Sequence, residues 1–240
     1  MSSKVTEIEV PPQKDLKYTI YMPNDYGPLR MMLTKLGHSI IYSLEGGKYY
    51  DMALFTPGPD IHPYLYGEDV TSWCDFNMAR DKRDNQAYRK LASDLPKVGV
   101  GRGAQFLHVM NGGRLYQHVT NHLNKPHNAF DTTTQEEFIV SSHHHQMMRV
   151  DQELSPAYIM LTAEEAADRF VPNEHIHKAG FEEPDIEALY YYDTNSFCFQ
   201  PHPDDFHPQH PCPTWFFTTI YQMYGKDIMK RRAEYQKRKK

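Results

Sequence analysis

The chain has 240 residues, enough for one large domain or two small ones with a sizeable core. Charged residues make up 24% of it and hydrophobic residues 40%, a balance typical of globular proteins and not of disordered or membrane-spanning chains. The first ten residues carry charges where a secretory signal needs an apolar core, so we expect a cytoplasmic protein.

The net charge of −5 is unevenly distributed. Lys226–Lys240 carries eight basic and two acidic residues, which leaves −11 for the rest of the chain. A basic end can bind nucleic acid, but in an otherwise acidic chain a solvated helix end is the favoured interpretation. The three cysteines, Cys74, Cys198 and Cys212, lack the number and spacing of a disulfide framework or a thiolate zinc site.

The N-terminal half predicts alternating strands and helices. β-Branched runs and amphipathic segments are separated by glycine- and proline-rich turns. The predicted elements are strand 17–22, helix 28–36, strands 38–43 and 50–55, helix 75–95, strand 97–100 and helix 104–110. Strand, helix and strand with short links form a βαβ unit, so the sheet is expected to be parallel and right-handed.

The C-terminal half has a weaker pattern. The predicted elements are strands 138–140 and 158–161, a helix over 162–169 from a capping-box spacing, a hairpin-like pair 186–192 and 196–200, and a long helix from 214 to about 236. No repeat or low-complexity linker interrupts the chain. We therefore expect a flexible lead-in over 1–15, one domain over 16–225 and a basic C-terminal end over 226–240.

The segment Val98–Gln105 predicts a sharp strand-to-helix turn. A β-branched run enters it, glycines allow a tight turn, and an apolar helical pattern leaves it. α/β Hydrolases expose a nucleophilic Ser or Cys at such an elbow. The residue at that position here is Gly101.

Five segments in the same order resemble class I glutamine amidotransferase-like proteins, most closely the γ-glutamyl and γ-glutamyl-aminobutyrate hydrolases (peptidase C26). They are Val98–Gln105 with the following Gly112-Gly113, Thr56–Asp60 with Pro63–Glu68, Arg83-Asp84, Val140–Gln146, and Phe199–Asp204. The resemblance implies an α/β fold of the flavodoxin-like, doubly wound type, with a mostly parallel central sheet and helices on both faces.

The resemblance also implies roles for matching residues. His202 would be the general base, and Asp204, one methylene shorter than the family's Glu, would orient it. The backbone N–H groups of Gly58 and Arg102 would stabilise an oxyanion, although Pro57 replaces the first glycine of the usual loop. The residues expected to bind substrate are Gln105, His144, His145 and Gln146.

Gly101 stands where the family has its nucleophilic cysteine. Loss of a triad nucleophile costs about 10⁶ in turnover. From a typical turnover number of about 10 per second, roughly one turnover per day would remain. The sequence therefore predicts a pseudoenzyme deficient in glutaminase turnover, which keeps a glutamine or γ-glutamyl pocket or binds a partner.

Three alternatives stay open. An active amidotransferase or γ-glutamyl amide hydrolase could use another residue or a water in the space beside Gly101; a non-catalytic binding module could use the basic end; or a natural cysteine has been exchanged for Gly101. No P-loop is present, so any ATP-dependent synthetase or ligase function would require a partner protein. Membrane and nucleic-acid partners are not expected.

Neither a metal site nor a cofactor is predicted. In a strand His143 and His145 would share a face, but no cysteine or carboxylate completes a recognisable ligand set beside them. Cys198 is expected to pack inside a strand, Cys74 lies far from the elbow in sequence, and Cys212 is the least unfavourable substitute nucleophile.

Overall fold

A nine-stranded sheet forms the centre of the computed structural model, which describes residues 10–164, 167–170, 177–178 and 184–239. The first nine residues of the predicted lead-in and the last residue of the predicted basic end lie outside the described residues. The elements in chain order are β1 (Thr19–Tyr21), α1 (Gly27–Lys35), β2 (Ser39–Ile41), β3 (Met52–Phe55), α2 (Met78–Tyr88), β4 (Lys97–Val100), α3 (Arg102–Met110), β5 (Arg114–Tyr116), β6 (His118–Val119), β7 (His127–Asp131), β8 (Glu137–Val140), β9 (Met147–Arg149), β10 (Tyr158–Ala163), β11 (Asp168–Phe170), β12 (His177–Lys178), β13 (Ile186–Tyr191), β14 (Ser196–Phe199) and α4 (Pro211–Arg238).

The strand order of the large sheet is β2-β1-β3-β4-β14-β13-β10-β7-β8. The first five strands run parallel to one another, and the last four are added antiparallel. The parallel half confirms the predicted α/β fold with its βαβ unit. Small sheets β12-β11-β6 and β5-β9 lie beside the large one.

Successive side chains on the parallel strands pack alternately into two hydrophobic cores, one on each face of the sheet. Val98 and Val100 of β4 belong to the cluster that contains α1 and α4, whereas Gly99 faces α3 on the other side. Phe197 and Phe199 of β14 follow the same alternation. Helices on both faces explain why every residue of β4 and β14 is buried.

The predicted helix over 162–169 is wrong. Thr162 and Ala163 end strand β10, and Asp168 and Arg169 belong to β11, while residues 165–166 lie outside the described residues. β10 is hydrogen-bonded on both edges, to β13 and to β7, so the ladder outweighs the local capping-box signal.

Helix α2 is shorter than predicted, beginning at Met78 after the N-cap Asn77, whose side chain accepts a hydrogen bond from the Arg80 N–H. The hairpin-like pair is confirmed as β13 and β14. No helix among the described residues is long and apolar enough to cross a membrane.

Candidate functional site

The turn between β4 and α3 is built from three glycines. Gly101 has φ +55° and ψ −120°, a conformation that side chains rarely adopt. A Cβ at Gly99 would lie 2.3 Å from the Gly103 carbonyl oxygen, and one at Gly103 would lie 2.0 Å from the Phe55 oxygen. The glycines therefore let α3 pack directly against the backbones of β3 and β4.

A pocket of about 350 Å³ lies above this turn, beyond the carboxyl ends of β3, β4 and β14. In parallel sheets these ends are where ligands bind. Of the residues predicted for the site, those that line the pocket are Gly58, Gly101, Arg102, Gln105, His144, His145, Gln146 and His202. The fold thus brings together segments that are up to 144 positions apart in sequence, from Gly58 to His202.

His202 lies directly over Gly101. A Cβ at Gly101 would be 2.8 Å from His202 Nε2, so the imidazole approaches the space that a side chain at this position would use. The sequence-based expectation of free space for a water beside Gly101 therefore needs correction: the ring narrows that space. Burial, partly offset by Asp205, lowers the pKa of His202 to about 4, so the ring is neutral at pH 7.

Asp204 does not hold His202. A carboxylate oxygen of Asp204 lies within 4.8 Å of a His202 ring nitrogen, but among the described residues no hydrogen bond reaches the His202 ring. Both Asp204 side-chain oxygens are buried without a side-chain or main-chain partner from another described residue. Burial raises the pKa of Asp204 to about 6, because it outweighs the opposing effects of the residue's own backbone N–H and of His143.

The expected oxyanion loop is fixed by a buried charge network. Arg102 pairs with Asp84 and, at 2.5 Å, with Asp81. Arg80 pairs with Asp84 at 2.9 Å and donates to the Thr56 carbonyl at 3.0 Å. Helix α2 is thereby tied to the elbow and to the loop that carries Gly58. Asp84 lies in the middle of α2.

The Arg102 and Arg80 guanidinium groups are therefore committed to structure. A ligand in the pocket would meet the backbone N–H of Arg102, not its charge. Sequence reasoning missed Arg80 and Asp81, although Arg80 and Asp84 stand four residues apart in the predicted helix, the spacing at which such pairs meet.

Gln105 and Gln146 form the inner wall of the pocket. The Gln105 amide donates to the Gln146 carbonyl and to the Gln200 side chain, both at 3.1 Å. Both of its N–H groups are thus used, and only its oxygen is left for a ligand. Gln146 donates to Cys74 Sγ and the Gln117 carbonyl, and its Oε1 atom is buried without a partner among the described residues.

The three consecutive histidines point to three different partners, so His143 and His145 do not converge. His143 pairs with Asp205 at 3.1 Å. His145 pairs with Asp60 at 3.1 Å, and this pairing raises its pKa. His144 is turned away toward the buried Glu187.

Burial keeps all three cysteines protonated. It raises the pKa of Cys74, raises that of Cys212 to about 12, and raises that of the fully buried Cys198 well above its usual value. A nucleophilic cysteine needs a lowered pKa, so no described cysteine has the environment of a substitute nucleophile.

The family model described as Peptidase C26 matches residues 47–165. The "Putative glutamine amidotransferase-like protein YvdE" of Lactococcus lactis subsp. lactis (strain IL1403) is 36% identical over 95 residues, 35% of this chain and 40% of that protein. Its homologue from Lactococcus lactis subsp. cremoris is 35% identical over 96 residues, 36% of this chain and 51% of that protein.

The matched segment thus spans about half the length of these relatives, or less. Among solved structures, a putative GMP synthase component from Thermoplasma acidophilum superposes with a TM-score of 0.57 at 13% identity, covering 91% of this chain and 97% of that chain. This likeness concerns the fold. The family match over residues 47–165 and the two Lactococcus relatives identify the chain as glutamine amidotransferase-like.

Proposed function

We propose that this class I glutamine amidotransferase-like protein binds glutamine or a γ-glutamyl amide but is deficient in covalent glutaminase turnover. The observation that carries the proposal is Gly101, which occupies the elbow with its Cα facing the His202 imidazole. The thiol that the superfamily's chemistry requires has no place of attachment there.

Asp204 supports the same conclusion. A general base in a triad is held and made more basic by a hydrogen-bonded acid. His202 has no such bond, and its lowered pKa makes it a weak base at neutral pH. The two departures add, because the first removes the nucleophile and the second weakens the base that would activate any replacement.

The pocket retains features that suit the ligand. Its volume of about 350 Å³ is in the range of small-molecule sites. Asp60 and His145 line it as a hydrogen-bonded acid–base pair 3.1 Å apart, in which the Asp60 carboxylate raises the pKa of His145. Such a pair complements the zwitterionic end of an amino acid. Gly58 and Arg102 also line the pocket, and we propose that their backbone N–H groups bind the side-chain carbonyl of a γ-glutamyl group.

A synthetase or ligase partner is not required by this proposal. A chain with negligible turnover supplies no ammonia to a partner enzyme. The basic-end alternative is weakened by pairing inside the chain: Arg231 lies 3.2 Å from Asp94, and Arg232 lies 2.6 Å from Asp51. A cytoplasmic location remains a prediction.

The test combines binding and turnover on the same preparation. Calorimetry should detect L-glutamine binding, with D-glutamine and L-asparagine as controls for stereochemistry and length. A coupled assay should find no ammonia release above the uncatalysed rate. Asp60→Asn should weaken glutamine binding about tenfold by removing one charge-assisted contact. Ammonia release that disappears in His202→Ala would instead establish an active hydrolase.

A further inference from the structure

A buried group of histidines around Glu187 lies next to the candidate pocket but takes no part in the chemistry discussed above. Glu187 in β13 is fully buried. Its Oε1 atom lies 3.0 Å from His127 Nε2, 3.4 Å from His122 Nδ1 and 3.8 Å from His144 Nε2. Two imidazoles from the segment that leads into β7 and one from the loop after β8 therefore present one nitrogen each to the same carboxylate, and His122 Nδ1 also lies 3.3 Å from the Ser142 hydroxyl.

The opposite nitrogen of each ring faces an oxygen that can only accept a hydrogen bond. His122 Nε2 lies 2.8 Å from an Asp185 carboxylate oxygen, and His144 Nδ1 lies 2.8 Å from the Gln146 carbonyl. His127 Nδ1 has a longer contact of 3.4 Å with the Lys125 carbonyl. These outer nitrogens carry the hydrogen, so in the neutral rings the inner nitrogens present lone pairs to Glu187.

Lone pairs that converge on a carboxylate repel one another unless a cation lies between them. A single proton on His127 satisfies only the 3.0 Å contact. It leaves His144 Nε2 and Glu187 Oε2, which are both buried without a hydrogen-bond partner among the described residues. His144 is only 7% exposed and Glu187 is not exposed at all, so water does not replace the missing partners cheaply.

The spacing fits a small divalent ion. Tetrahedral zinc with ligand bonds of about 2.0–2.1 Å has ligand atoms about 3.3–3.4 Å apart. His122, His127 and Glu187 each offer a ligand atom within 4.8 Å of the other two. Outer hydrogen bonds from ligating histidines to a carboxylate or carbonyl are the usual support of such sites, and Asp185 and Gln146 provide them here.

We propose that His122, His127 and Glu187 bind a divalent transition-metal ion such as Zn²⁺, with His144 completing the coordination after a shift of a few tenths of an ångström. The site is buried and its ligands come from β7, β13 and the loops flanking β7 and β8, so its role is structural. Through His144 it would hold the pocket-lining segment His144–Gln146 in place. The proposal does not rest on glutamine binding or on turnover, although His144 also lines the pocket.

The experiment uses the full chain purified without a polyhistidine tag. After chelator treatment, Zn²⁺ is titrated against a chromophoric chelator, bound metal is counted by mass spectrometry, and Co²⁺ absorption reports the coordination number. We expect one Zn²⁺ per chain and an increase in Tm with Zn²⁺. His144→Asn should reduce affinity by at least tenfold, whereas the adjacent His143→Asn, which changes the same side chain outside the cluster, should leave it unchanged.

Loss of a ligand should have a larger effect. Glu187→Gln keeps the shape of the side chain and is expected to lower Zn²⁺ affinity by more than 100-fold. His127→Asn, at the partly exposed edge, provides the same test without altering the buried carboxylate. Substoichiometric metal in the wild-type chain would overturn the proposal in favour of a protonated histidine pair. Binding of one Zn²⁺ per chain that none of these variants weakens would also overturn the proposal. It would mean that the ion binds elsewhere, for instance at His202 and its neighbouring aspartates.

Discussion

Restoring a thiol at Gly101 should restore part of the missing chemistry. Gly101→Cys places the sulfur on the elbow beside His202, the proposed base. The substitution has a structural cost of about 1–3 kcal/mol because the backbone has φ +55°. The His202 ring must also move back by about 0.6 Å, from 2.8 Å to an ordinary contact of 3.4 Å with the new Cβ.

The gain in turnover depends on whether His202 has an acid partner. In a serine-protease triad, loss of the nucleophile costs about 2 × 10⁶ in turnover, and loss of the acid costs about 3 × 10⁴. A chain with nucleophile and base but no acid should therefore exceed the present one by about 10²-fold. Gly101→Cys with Asp204→Glu adds a methylene of about 1.5 Å, enough to bring the carboxylate to His202, and should gain up to a further 10⁴-fold.

The assay is release of p-nitroaniline from γ-glutamyl-p-nitroanilide, with mass spectrometry for the glutamyl thioester on Cys. Gly101→Ala is the matched control, because it imposes the same strain and ring displacement without a thiol. The reasoning fails if Gly101→Cys/Asp204→Glu is folded and binds glutamine, yet forms no thioester and is no faster than Gly101→Ala. It fails equally if the wild-type chain already hydrolyses the substrate at the rate of the double variant.

The remaining predictions concern stability. Asp84→Asn leaves Arg102 and Arg80 without the buried carboxylate that they share, so it should lower the free energy of unfolding by about 3–5 kcal/mol in urea denaturation. A loss below about 1 kcal/mol would contradict a structural role for this charge network. Lys97→Met removes an ammonium group that lies within hydrogen-bond distance, 2.8–3.0 Å, of four carbonyl oxygens. It should lower the free energy of unfolding by about 2–4 kcal/mol in the same assay. An unchanged midpoint would show that these carbonyl oxygens find other partners. Asp204→Asn should leave Tm unchanged at pH 4 and should raise it at pH 7.5. The pKa of Asp204 is about 6 in the folded state and 3.8 in the unfolded state, so the folded state binds more protons between these values. The wild-type free energy of unfolding therefore falls as the pH rises from 4 to 6, by at most about 3 kcal/mol. The titration of His202 raises the free energy of unfolding over the same pH range, so the quantity to measure is the difference in Tm between Asp204→Asn and the wild type. A lower Tm for Asp204→Asn at pH 7.5 would mean that the carboxylate has a partner.

The elbow and the parallel half of the sheet could be predicted because their determinants are local. Glycines at 99, 101 and 103 between an apolar strand and an apolar helix leave few other structures open. The carboxyl ends of parallel strands meet at one edge, so the loops carrying Gly58, Gly101 and His202 were expected to come together, and they line one pocket.

The helix predicted over 162–169 fails for the opposite reason. Its signal, a threonine followed three residues later by a glutamate, is worth about 1 kcal/mol. Pairing of β10 with strands on both sides depends on residues far away in sequence, which local propensity does not contain. Tertiary pairing decides the structure there.

The charged groups behind the pocket could not be predicted from spacing. His122 and Glu187 are 65 positions apart, and their contact depends on the register of β7, β10 and β13. The pattern of three consecutive histidines directed attention to His143 and His145, which alternate as strand residues would. The segment instead forms a loop between β8 and β9, so its middle residue turns inward.

The contacts that hold the walls of the pocket are different from those that would support catalysis. The walls are held by Arg102 on Asp81 and Asp84 and by the Gln105 amide, and neither set of contacts involves the group at 101. In the proposed function both departures instead concern His202: position 101 offers it no thiol to deprotonate, and Asp204 makes no hydrogen bond to its ring. Because these losses touch one side chain that makes no ring hydrogen bond within the described residues, they leave the walls of the pocket intact. A chain with this arrangement can lose turnover by many orders of magnitude while its ligand affinity changes little.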